Sequence, residues 1–134
     1  MTMAGAILNP RTHTFEWSTA GHPYPLWCLP DGTVGDWKMP GYPLGMKARS
    51  PFRSESYFLP ENGMILFYTD GIVEALSPQG KMFGFDGLQR AFTQARGKTA
   101  SEALDFILNQ FRQFSEAVPQ GDDVTLLLVR RLPA

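Results

Sequence analysis

Hydrophobic and polar positions change period along the chain, and the changes divide it into elements. Met3 to Leu8 is a run of small and apolar residues closed by Asn9-Pro10, a turn signal. Thr14 to Thr19 alternates, with Phe15, Trp17 and Thr19 on one face and Glu16 and Ser18 on the other, the pattern of a half-buried strand. The two runs and the short turn between them read as a hairpin. Tyr24 to Leu29 resumes the strand pattern, interrupted by Pro25, and Pro30-Asp31-Gly32-Thr33 turns the chain again. Residues 39–51 hold three prolines and two glycines and predict an irregular connection. Phe52 to Leu59 is extended, and Pro60-Glu61-Asn62-Gly63 is a tight turn suited to positive φ. Met64 to Tyr68 is continuously apolar, as in a strand buried on both faces.

The period then becomes helical. Asp86 to Ala95 predicts a short helix with Leu88, Ala91 and Phe92 inward. Thr99 to Glu116 predicts a longer one, opened by a Thr99–Glu102 capping box and striped by Ala103, Leu104, Ile107, Leu108, Phe111 and Phe114. Pro119-Gln120-Gly121 stops it. Val124 to Val129 predicts a last, central strand, apolar apart from Thr125. Strands first, helices later and hairpins in place of βαβ units indicate an α+β fold with antiparallel sheet.

Composition narrows the function. At 134 residues the chain is one domain, and 43% hydrophobic against 19% charged residues exclude a disordered tail. Twelve Lys and Arg against thirteen Asp and Glu leave a net charge of -1. A nucleic-acid binder or a polybasic membrane module needs a basic excess. Cys28 is the single cysteine, so neither an internal disulfide nor a thiolate zinc cluster is available. With no apolar run near the roughly 20 residues of a membrane span, a cytoplasmic location is the expectation.

Three acids stand where buried strands begin or end. Asp70 follows Met64 to Tyr68 with only Thr69 between, and Asp122-Asp123 directly precedes Val124. If the two strands are antiparallel neighbours, Asp70 and Asp122 converge. Aimed carboxylates of this kind hold hard cations such as Mg²⁺ and Mn²⁺. Asp70-Gly71 also opens a short helical turn, Ile72 to Leu76, and Glu74 falls four residues on, placed as an outer ligand. The plainer alternatives are that Asp70 is an N-cap with Glu74 near the capping-box position, and that Asp122 and Asp123 are turn acids. His22 in Ala-Gly-His-Pro reads as a turn residue in preference to a base, and His13 as a solvated hairpin residue. Cys28 reads as core. Gly41-Tyr42-Pro43-Leu44-Gly45 lacks the Lys-Ser/Thr of a phosphate loop and reads as a flap or turn.

Five motifs occur in order: Ala20-Gly21-His22-Pro23-Tyr24-Pro25, Gly41-Tyr42-Pro43-Leu44-Gly45, Tyr68-Thr69-Asp70-Gly71-Ile72-Val73-Glu74-Ala75, Phe83-Gly84 and Asp122-Asp123-Val124-Thr125. Together they resemble the SpoIIE/RsbU-like branch of the metal-dependent (protein phosphatase 2C-type) serine/threonine phosphatases, from Met1 to Arg130. The resemblance implies two antiparallel sheets packed face to face with helices outside, and a binuclear Mn²⁺ or Mg²⁺ centre whose bridging water attacks phosphoserine or phosphothreonine. Asp70 and Asp122 match metal aspartates of the family. Glu74 matches an acid near a third, weaker metal, and Asp123 holds a position that is often Asn.

The family's early strands carry a metal-bridging aspartate and a Gly-His-Gly turn. This sequence has no Gly-His-Gly and no Asp before Asp31. The resemblance therefore implies the C-terminal part of a catalytic domain, incomplete at the N-terminus and inactive by itself. The implied substrate is a phosphorylated regulatory protein of the anti-sigma-factor antagonist type. The alternative is a non-catalytic binding module that keeps the fold. Strands deprived of earlier partners would leave an open edge, so a homodimer is a further expectation.

Overall fold

Seven strands and three helices build the chain in a computed structural model that describes residues 1–48, 51–116 and 118–134. Strand β1 (Met3–Asn9) pairs antiparallel with β2 (Thr14–Ala20) as the expected hairpin. Asn9 forms its turn: its Oδ1 accepts the Arg11 and Thr12 N–H groups at 2.9 and 3.2 Å. β2 also pairs with β5 (Glu55–Phe58), giving a first sheet ordered β1-β2-β5. The second sheet is ordered β4-β3-β6-β7, with β3 (Leu26–Cys28), β4 (Val34–Asp36), β6 (Met64–Tyr68) and β7 (Leu126–Arg130), all antiparallel.

β6 shows why the continuous apolar run was needed. Met64, Leu66 and Tyr68 face the helices and join Leu26, Cys28, Leu88, Phe92 and Ile107 in the larger core. Ile65 and Phe67 point the other way, toward Phe15 and Trp17 of the first sheet. The Phe15 and Phe67 rings lie 5.7 Å apart across the gap, and Trp37 stacks on Tyr57 at 4.1 Å. The layers are thus sheet, sheet, helices. Each large apolar side chain fully removed from water contributes about 1.5–3 kcal/mol, and Ile65, Leu66, Leu88, Phe92 and Ile107 are all completely buried.

The helices follow their stripes. α1 (Gly71–Glu74) is a single turn, and α2 (Gly84–Gln94) buries Leu88, Ala91 and Phe92. α3 (Ala100–Ser115) starts on the Thr99 capping box and buries Ala103, Ile107 and Phe111. Asn62, in the turn before β6, adopts φ 61°. No helix among the described residues is long and apolar enough to cross a membrane.

Three expectations need correction. β4 was not foreseen: three residues with a central Gly35 carry no periodicity, and Trp27 packs where a Gly35 side chain would lie. β7 begins at Leu126, because the Thr125 N–H donates to the Thr69 hydroxyl and not to a ladder carbonyl. It is also an edge strand among the described residues, not a central one, paired with β6 alone and leaving Leu127 59% exposed. The extended segment from Phe52 pairs only over Glu55–Phe58. In the connection predicted over 39–51, the described residues form no strand or helix; Arg49 and Ser50 lie outside the described residues.

Candidate metal centre

The second sheet brings the two acidic motifs together. Tyr68 is opposite Leu126 in the β6–β7 ladder, so the chain leaving β6 runs beside the chain entering β7. Thr69 fastens them. Its N–H donates to the Thr125 carbonyl at 3.1 Å and its hydroxyl donates to the Asp123 carbonyl at 2.8 Å. The same hydroxyl accepts the Thr125 N–H at 2.9 Å. Two residues on, buried Gly71 lies so close that a Cβ there would sit 2.5 Å from the Asp123 carbonyl oxygen and 3.1 Å from that of Asp122. Only glycine permits this approach.

Asp70 is therefore flanked by two residues that both touch the Asp122–Asp123–Thr125 segment. It occupies the N-cap position of α1 in a helical conformation, but its carboxylate makes no capping hydrogen bond. Asp122 Oδ1 accepts the Asp123 N–H at 2.7 Å, as a turn acid would, and the Gln120 amide donates to the Asp122 carbonyl at 2.6 Å. Asp70, Glu74, Asp122 and Asp123 are all exposed. Among the described residues the single ion pair is Arg131–Glu61, so none of these four acids is ion-paired with a described cation.

Three of the four acids open on two clefts. Glu74 and Asp122 line one of about 510 Å³, with Phe111, Arg112 and Ser115 of α3 on its far wall. Asp70 lines the other, of about 630 Å³. Among the described residues no group of three or more His, Cys, Asp and Glu side chains is gathered to hold a metal ion. The junction nonetheless offers unpaired carboxylate oxygens and neither thiolate nor imidazole, a donor set that fits Mg²⁺ or Mn²⁺.

The Asp70 cleft also collects the motifs read as plain turns. Gly21, His22, Pro23 and Tyr24 form one wall, and Gly41 and Pro43 another. They meet through glycines. A Cβ at Gly21 (φ 71°) would lie 2.7 Å from the Pro43 ring, and one at Gly41 would lie 2.6 Å from the Thr19 carbonyl oxygen. His22 lies in the irregular stretch after β2, with its N–H donating to the buried Thr19 hydroxyl at 3.2 Å. Asp36, Lys38, Tyr68 and Phe85 complete the lining. Burial, and next the nearby Asp36 carboxylate, push the Tyr68 phenol up to about 12, so it stays a neutral donor at neutral pH. Asp36 and Lys38 escaped the sequence reading because the first ends and the second follows the unforeseen β4. Cys28 is buried as expected, and burial raises its thiol pKa.

Two face-to-face antiparallel sheets with helices on one outer face are the fold that this chain shares with solved phosphatase domains. Residues 1–132 match the family described as Stage II sporulation protein E (SpoIIE), and the chain belongs to that family. Phosphoserine phosphatase RsbP of Bacillus subtilis is 29% identical over 114 residues, which cover 85% of this chain and 27% of RsbP. The crystal structure of the RsbU and RsbW domains of Rv1364c from Mycobacterium tuberculosis superposes with TM-score 0.79 at 27% identity, over 99% of this chain and 38% of that one. The Mn-presoaked phosphatase domain of the cell fate determinant SpoIIE from Bacillus subtilis gives TM-score 0.75 at 14% identity, over 98% of this chain and 56% of that one, a likeness of fold. The chain thus spans between about a quarter and a little over half of these relatives.

Proposed function

We propose that this chain supplies the metal-binding acids and the substrate cleft of a divalent-metal-dependent phosphoserine protein phosphatase. The observation that carries the reading is the contact of Gly71 with the Asp122–Asp123 backbone, which sets the end of β6 against the approach to β7. In this reading Asp70 and Asp122 are the principal ligands, Asp123 a lesser one and Glu74 an outer one. Mn²⁺ or Mg²⁺ held there supplies Lewis-acid charge stabilisation and an activated water. Thr69 and Gly71 fix the separation of the acids, and the Asp70 cleft receives the phosphorylated side chain. The substrate, by likeness to RsbP and the RsbU domain of Rv1364c, is a phosphorylated regulatory protein of the anti-sigma-factor antagonist type.

The test is hydrolysis of a phosphoserine protein by the full protein that carries this segment, with and without Mn²⁺. Turnover that needs the metal and disappears in Asp70→Asn is the expected result. Turnover indifferent to metal and to that substitution would overturn the reading. Mn²⁺ binding without any turnover would favour the non-catalytic module.

A further inference from the structure

The Asp70 cleft contains a cation to which the metal chemistry assigns no task. In the second sheet Asp36, Leu26 and Leu66 form one row across β4, β3 and β6. Two residues further in the same direction, that row becomes Lys38, Tyr24 and Tyr68. The Trp37 N–H, donating to the Pro25 carbonyl at 3.4 Å, continues the pairing past β4. Lys38 thus arrives at the sheet end that Asp70 occupies, and both line the one cleft of about 630 Å³. That volume is ample for a phosphorylated side chain.

Lys38 is exposed, and among the described residues it makes no ion pair and no side-chain hydrogen bond. A lysine placed there to balance Asp36 or Asp70 would pair with one of them. Its ammonium is instead free to meet an anion, and a phosphoryl group brings about −1.5 to −2 charge at neutral pH. A flexible stem with three rotatable donors suits a group that approaches from solvent. Phe85, 58% exposed, lines the α2 side of the same cleft.

We infer that Lys38 anchors the phosphoryl group of the incoming phosphoserine by contact with its oxygens, so that the ester lies over Asp70. The inference rests on the phosphatase reading above. It is tested by titrating the Mn²⁺-saturated chain with a phosphoserine peptide and, separately, with inorganic phosphate, followed by calorimetry and by ³¹P line broadening from bound Mn²⁺. Lys38→Met should weaken the phosphopeptide about ten- to a hundredfold, the scale of one lost charge-assisted hydrogen bond. Mn²⁺ affinity should be unchanged, and Lys38→Arg should restore most of the loss. Equal phosphopeptide affinity in Lys38→Met with Mn²⁺ binding intact would overturn the role of Lys38 and leave the metal reading standing. Dependence on Lys38 for inorganic phosphate alone would overturn the substrate assignment. Failure of the unsubstituted chain to bind Mn²⁺ would remove the phosphatase reading and this inference with it.

Discussion

Replacing Gly71 by alanine sets two effects of opposite sign against each other. Gly71 opens α1, and exchanging glycine for alanine at a helical position ordinarily stabilises by about 0.5–1 kcal/mol. The added methyl, however, would lie 2.5 Å from the Asp123 carbonyl oxygen and 3.0 Å from its carbon. That carbonyl cannot yield freely, because the Thr69 hydroxyl holds it at 2.8 Å and also binds the Thr125 N–H. Overpacking against a fixed neighbour costs about 1–3 kcal/mol. The clash wins, with a net loss of about 1–2 kcal/mol, or a fall in Tm of roughly 3–10 °C for a chain of this size. Displacement of the 122–123 segment should also separate the acids, so Mn²⁺ affinity should fall together with stability. Urea titration and Mn²⁺ calorimetry on the same variant read both. A variant as stable as the parent or more so, with Mn²⁺ affinity intact, would show that Gly71 does not hold the two motifs together.

Thr69→Val keeps the shape but removes the hydroxyl that bridges Asp123 and Thr125; at about 0.5–1.5 kcal/mol per bond, urea unfolding should show a loss near the lower end, since both partners are exposed and can turn to water. Glu102 accepts from the Thr99 N–H and hydroxyl, each at 2.9 Å, and these bonds hold its carboxyl below the ordinary 4.5. A lowered folded-state pKa contributes stability that is present above the unfolded value and lost as pH falls through the folded one. Glu102→Gln should therefore be less stable than the parent at pH 7, with the difference closing in urea titrations as pH falls below the ordinary 4.5 and through the lowered folded-state value; a gap independent of pH would contradict this. The outer edge of β1 has no partner strand among the described residues, and Ile7 is 70% exposed, so light scattering should show concentration-dependent self-association. A strict monomer at high concentration would refute that expectation.

Residues with a strong local pattern were legible in the sequence. The Phe15 and Trp17 alternation, the doubly buried Met64 to Tyr68 and the Thr99 capping box each encode their element within a few positions, and each is found in the structure. The antiparallel pairing of the two apolar strands nearest Asp70 and Asp122, which the sequence reading posed as the condition for their convergence, is present as β6–β7. What stayed hidden depends on contacts between segments far apart in the chain. β4 is defined by pairing with β3 and not by any period of its own. The glycines of Gly-His-Pro and Gly-Tyr-Pro-Leu-Gly look like turn residues singly; their use, letting Pro43 and the Thr19 backbone come close, exists only after folding. Val124 to Val129 looked central because it is apolar, yet apolarity records burial of faces and not pairing of edges.

The central claim is that Asp70 and Asp122 serve one divalent cation at the junction set by Thr69 and Gly71. Titration of Mn²⁺ into the chain, followed by the electron paramagnetic resonance signal of the free ion, tests it without reference to turnover. Affinity depends on the number of carboxylates, and the account predicts weak, saturable binding that is lost in Asp70→Asn and equally in Asp122→Asn. Binding that survives either substitution unchanged would contradict it.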